Sequence, residues 1–152
     1  MRRFVASMIL AAALPLSAAA QVMGDPDVIE LLMQDQGLPV ERGVERNRTP
    51  YIISSIDGIR FTIYFHDCRQ TCGSLQFISG YETGPHQRIS LRVMNDWNRT
   101  QRFSRAYLDR FGDPIIEMDV NLGADGMGRS NFNELLTHWA ASLFAFRNLI
   151  NW

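Results

Sequence analysis

The chain has 152 residues, 46% of them hydrophobic and 20% charged, with 15 basic against 16 acidic side chains and three histidines. That composition suits a folded domain with a core of its own and excludes a disordered or low-complexity chain. The charge-mixed balance lacks the clustered cations that phosphate backbones require, so no nucleic-acid partner is expected, and because every basic residue is arginine, lysine-based Schiff-base chemistry is excluded as well.

The first segment, MRRFVASMILAAALPLSAAAQ, combines Arg2 and Arg3, an apolar run and the small residues Ala18, Ala19 and Ala20 before Gln21. This is the pattern of a secretory signal peptide cleaved after Ala20, and the apolar run falls short of the ~18–20 residues of a membrane-spanning helix. The expectation is a leader over residues 1–20, followed by one domain over 21–152 that is periplasmic or secreted and makes no stable membrane insertion once the leader is gone. Loss of Arg2 and Arg3 takes the 15 basic residues to 13 against 16 acidic ones, a formal charge of −3.

Asp25, Pro26 and Asp27 read as helix cap, first-turn proline and first-turn acid, and Gly37 as the stop; Val28, Ile29, Leu32 and Met33 recur between them at helical spacing. From Leu38 to Gly80 the period changes to two. Turn residues at Asn47 to Pro50 and at Asp57-Gly58 predict strands over Pro39–Arg46, Tyr51–Ser55, Ile59–His66 and Ser74–Gly80, joined as a meander. A helix is predicted over Arg88–Arg99 with Ile89, Val93, Met94 and Trp97 on one side, then strands over Arg102–Asp109 and Pro114–Asn121 turned at Gly112-Asp113. Ser130 is expected to cap a last helix whose apolar stripe runs through Phe132, Leu135, Leu136, Trp139, Ala140, Leu143, Phe144 and Ile150. The order α-β-β-β-β-α-β-β-α predicts an α+β fold, an antiparallel sheet covered on one face by helices.

Cys68 and Cys72 flank Arg69, Gln70 and Thr71 between two predicted strands. If those strands form a hairpin, a register that sets Cys68 opposite Cys72 also sets Phe65 opposite Leu75 and Ile63 opposite Phe77, with the cysteines on the opposite face at a Cα separation of about 4.5–5.5 Å. An oxidising compartment favours joining them, so the expected role is a structural disulfide. The alternative is a thiol-redox or metal-dependent protein centred on Cys68, Cys72 and His66, a set that would leave an open metal position.

Elsewhere the chemistry is sparse. His66, His86 and His138 lie in three different elements, and no G-x-S-x-G elbow or phosphate-binding glycine loop occurs. Asp119, Asn121 and Asp125 begin with calcium-ligand spacing, but Gly123, Ala124 and Ser130 stand where a third ligand, the turn glycine and a closing glutamate belong. Glu117 and Asp119 alternate onto one strand face and would offer an acidic interaction surface if that face is exposed. Arg99, Arg102 and Arg105 interleave with Trp97, Phe103 and Tyr107, which reads as core aromatics flanked by snorkelling or ion-paired arginines.

The segment Val93-Met94-Asn95-Asp96-Trp97-Asn98, then Arg102-Phe103, Arg105-Ala106-Tyr107-Leu108-Asp109 and Pro114 to Val120, resembles the YbjN-domain family of bacterial proteins. The resemblance extends upstream through Gly58 to Phe65, Cys68, Cys72 and Ser74 to Phe77, and downstream into the last helix. It implies an α+β fold similar to the type III secretion chaperones and a label of sensory-transduction regulator, with no catalytic residues to carry over. The leader and the cysteine pair mark an exported branch.

Taken together, the residues predict a non-enzymatic, exported protein-interaction domain, chaperone-like or regulatory, that needs no cofactor or metal. It is expected to bind a protein segment or its own copy through the open sheet face or the last helix. A small-ligand binder with a pocket between sheet and helices is the remaining alternative.

Overall fold

The computed structural model describes residues 21–84 and 87–152; the leader expected over 1–20 and His86 lie outside the described residues. The elements in chain order are β1 (Gln21–Val22), α1 (Pro26–Asp35), β2 (Glu41–Val44), β3 (Pro50–Ile56), β4 (Ile59–His66), β5 (Ser74–Gly80), α2 (Leu91–Thr100), β6 (Arg105–Leu108), β7 (Pro114–Asn121), β8 (Met127–Gly128) and α3 (Arg129–Leu149). The expected α+β order is present, extended by the two short strands β1 and β8, which pair with each other.

Six strands form one antiparallel sheet in the order β2-β3-β4-β5-β7-β6. The β3–β4 turn is made by Asp57 and Gly58, both at positive φ (47° and 80°), as a tight primed hairpin requires. The same alternation that defines the strands sorts their side chains. Ile52, Ile63, Phe77 and Met118 form one row across the sheet, all buried. The next row, Ile53, Thr62, Ile78, Glu117 and Arg105, points the other way.

All three helices pack on the first face. Asp25 caps α1 by accepting from the Asp27 amide at 2.8 Å, and α1 buries Ile29, Leu32 and Met33. Arg42 of β2 holds it from outside through Asp27 and Glu30. Trp139 of α3 is fully buried with its ring centroid 6.0 Å from Phe61 and 5.7 Å from Phe77. Trp97 of α2 meets Phe146 of α3 edge-on at 5.0 Å. Burying one large aromatic of this kind stabilises a fold by roughly 3 kcal/mol. No helix among the described residues is long and apolar enough to cross a membrane.

Three expectations need correction here. Ser130 does not cap α3: the helix starts at Arg129 with Gly128 at the cap and no side-chain cap hydrogen bond. Pairing of β8 with β1 delivers the chain straight into the first turn, so strand pairing fixes where the helix begins. The first strand after α2 is not Arg102–Asp109 but only Arg105–Leu108. And of the aromatics read as core, Trp97 is buried but Phe103 and Tyr107 are 46% and 39% exposed, because residues 101–104 swing off the sheet and Tyr107 faces away from the helices.

Candidate interaction site

The cysteines come first, since the sequence singled them out. The predicted register holds: Phe65 pairs with Leu75 and Ile63 with Phe77. Cys68 and Cys72 lie at disulfide distance, 2.12 Å between sulfurs, but their Cα atoms are 3.8 Å apart and they do not extend the ladder. The ladder stops at His66 opposite Ser74, and Asp67 turns the chain at φ 56°. Nor does Cys72 sit on an exposed face; it is 4% exposed and belongs to the core. The reason is the N-terminal segment, which crosses over it: the Cys72 amide donates to the Gly24 carbonyl at 2.8 Å, and a Cβ on Gly24 would stand 2.0 Å from the Cys72 oxygen. Next to it the Gly73 carbonyl accepts from both Leu122 and Gly123 amides, so this small loop ties three distant segments together. His66 is exposed at the end of β4 beside Tyr64, and no group of three potential ligands that could hold a metal ion occurs among the described residues.

On the face without helices, Glu117 is not the exposed acid that the sequence suggested. Its side chain is 7% exposed and ion-paired with Arg105, which also reaches Asp119 at 3.0 Å. Gln76 donates to Glu117 at 3.4 Å and to Asp119 at 3.2 Å, and the Tyr107 hydroxyl donates to Glu117 at 3.3 Å. Partial burial, followed by the Glu117 charge, raises the Tyr107 phenol above its ordinary pKa, so it acts as a neutral donor. Asp119 remains half-exposed. Around this network lie the half-buried Tyr51, Ile53, Tyr64, Ile78 and Ile115.

At the border of the two faces is a cleft of about 590 Å³. Its floor is Met118 to Asn121 of β7; Asn131, Glu134, Leu135 and His138 of α3 form one wall, and Arg102 and Phe103 close an end. The Phe103 ring stacks on His138, centroids 4.2 Å apart. Main-chain geometry explains why the cleft is there. The hydrogen bonds Tyr81 to Pro114 and Leu122 to Gly73 show that even-numbered residues of β7 aim their main-chain groups at β5. The bond Asp109 to Asp113 shows that odd-numbered ones aim at β6. Because β6 ends opposite Glu117, the ladder supplies no partner for the N–H and C=O of Asp119 and Asn121. The outer edge of β6, by contrast, is occupied. Asn98 of α2 donates to the Ala106 carbonyl at 2.9 Å and accepts from the Ala106 amide at 2.7 Å, filling that edge as a neighbouring strand would.

Sequence reasoning named Glu117, Asp119, Cys68 and Cys72, and the fold does not bring the two pairs into one site. It missed the cleft and the partners Asn131, Glu134, Leu135 and His138. No local signal marked it, because the sequence predicts the two strands at equal length, Arg102–Asp109 and Pro114–Asn121, and only the fold shortens the first to Arg105–Leu108.

Comparison with known proteins identifies a family. A family model, YbjN, "Putative bacterial sensory transduction regulator", matches residues 25–151. The chain therefore belongs to the YbjN family. Among solved structures, it is similar to the Yersinia pestis type III secretion chaperone SycH, solved in complex with a stable fragment of YscM2, at 17% identity, covering 76% of this chain and 93% of that one with a TM-score of 0.44. No curated protein matches.

Proposed function

We propose that this YbjN-family chain is an exported, non-enzymatic protein-binding domain, periplasmic or secreted, that holds a protein segment or a second copy of itself against the uncovered side of its sheet. The observation that carries the reading is the asymmetry of that sheet. One face is sealed by three helices, while the other presents Tyr51, Ile53, Tyr64, Ile78 and Ile115, side chains with apolar bodies, around a fixed Arg105–Glu117–Asp119 network. Aromatic and aliphatic anchors beside oriented polar groups are the composition of a contact surface. Membership of a family described as regulators of signalling fits a role exercised through contacts. The leader pattern supports export, and Cys72 lies under the N-terminal segment, which favours a structural disulfide over thiol exchange.

The test is a photo-crosslinking residue at Ile78, in the middle of the uncovered face, in cells that export the protein. The expected result is a reproducible adduct with one partner or a covalent dimer. A protein that stays monomeric and free of adducts would overturn the proposal.

A further inference from the structure

We infer that leader removal makes Gln21 the first residue, that its α-amine then closes on its own side-chain amide to leave an N-terminal pyroglutamate, and that the adjoining end of α3 speeds this step. The inference rests on the export reading above and assigns a modification to the residue that reading places at the new terminus.

Three observations converge. First, the expected cut after Ala20 falls just outside the packed strand. Gln21 is exposed, whereas the next residue, Val22, is 2% exposed and pairs with Met127. Cleavage at this bond keeps β1 whole, and cleavage two residues later would remove a core side chain. Second, a terminal glutamine carries nucleophile and electrophile on one residue, so the reaction is intramolecular. The neutral amine attacks Cδ; the N–Cδ bond forms, the Cδ–Nε2 bond breaks, one amine proton passes to the departing nitrogen, and ammonia leaves a five-membered lactam. Neither an oxidant nor a second reactant takes part.

Third, the new terminus lies where a positive charge is disfavoured. The ladder partner of Gln21 is Gly128, the residue that precedes α3. This 21-residue helix starts with no side-chain cap hydrogen bond and no acidic residue in its first turn, so its unpaired N–H groups and the positive end of its dipole lie beside Gln21. Arg129 in that turn is matched by Asp35 at 2.6 Å, which offsets the side chain's charge and leaves the helix end as it is. An ammonium next to that end loses ground to the neutral amine, and the neutral amine is the form that attacks. Cyclisation removes the charge permanently. It also closes the chain to aminopeptidases, which require a free α-amine, and so preserves the strand that Val22 anchors.

The experiment expresses the full chain with its leader and follows the purified exported protein by intact mass at neutral pH. The mass should settle at that of residues 21–152 less one ammonia, and stepwise N-terminal sequencing should be blocked until a pyroglutamyl peptidase, applied after denaturation, exposes Val22. Freshly exported chain should cyclise about threefold faster folded than in denaturant, because the neutral fraction of the amine is larger beside α3. Gln21→Ala should lose no ammonia, and an aminopeptidase should shorten it while leaving the parent intact. A chain cut after Ala20 that keeps a free Gln21 amine would overturn the inference and leave export standing. A folded rate no faster than the denatured one would overturn the part given to α3. An uncleaved chain, or one cut at another bond, would overturn the leader reading and the inference with it.

Discussion

The two faces of the same sheet solve opposite problems. On the covered face the rows are aliphatic and aromatic, and polar groups are few; Trp139 between Phe61 and Phe77 is typical. On the uncovered face the side chains at the same strand positions are mixed, and order comes from directed polar bonds: Arg105, Gln76 and Tyr107 all converge on Glu117. One face gains stability from exclusion of water, the other gains definition at little net stability, since exchanging hydrogen bonds with water for internal ones yields about 1 kcal/mol each. That difference explains why the covered face suits a scaffold and the uncovered one suits contact.

Substitutions can break the contrast in order of size. Trp139→Ala removes the aromatic that joins α3 to β4 and β5 and should cost about 3–5 kcal/mol in denaturant unfolding. A cost below about 1 kcal/mol would show that the covered face is not the core. Replacing both cysteines with serine, at the border where Cys68 is exposed and Cys72 buried, should cost about 2 kcal/mol, the entropy of closing so short a loop. The same loss should follow addition of a dithiol to the parent protein, and no change in either would rule the staple out.

On the uncovered face, Arg105→Ala leaves Glu117 shielded from water without its cation. That should cost about 1–2 kcal/mol, discounted because Arg105 is itself 59% exposed, whereas changing Arg105 and Glu117 together to leucine should come close to neutral. Equal costs for the single and double variants would show that the face depends on apolar contact after all. The smallest effect has the opposite sign. Tyr81 is buried and its hydroxyl has no hydrogen-bond partner among the described residues, so Tyr81→Phe should stabilise by about 1 kcal/mol. Burial also raises the Tyr81 phenol above its ordinary value. The raised value makes the contribution fully present below the unfolded pKa of about 10 and lost as the pH climbs through the folded one, so the gap between variant and parent should widen only in alkali.

Alternation made the sheet legible from the sequence. It set Phe65 against Leu75 and Ile63 against Phe77, and it separated Glu117 from the core rows. It could not say how far a ladder runs. The retreat of residues 101–104 from β7 depends on Asn98 gripping Ala106 from α2, a contact between a helix and a strand that no local pattern encodes. The same limit applies to Glu117: alternation places it on the outer face, but its burial depends on Arg105, Tyr107 and Gln76 closing over it from two other strands. Likewise Ser130 has the right chemistry for a cap and lost that role to the pairing of Met127 with Val22, about a hundred residues away.

That last pairing imposes an order of assembly. Gln21 and Val22 lie against Met127 and Gly128, Gly24 lies on Cys72, and Gly126 presses so closely on Val22 that a Cβ there would stand 2.4 Å from its carbonyl oxygen. A chain synthesised N-terminus first therefore presents Gln21 and Val22 long before their partners exist. The meander from β2 to β5 can form from neighbouring segments, but the first strand has to wait until the stretch before α3 arrives. The molecule closes late, when Gln21 and Val22 meet Met127 and Gly128, and a chain stalled anywhere before Met127 cannot complete that pairing.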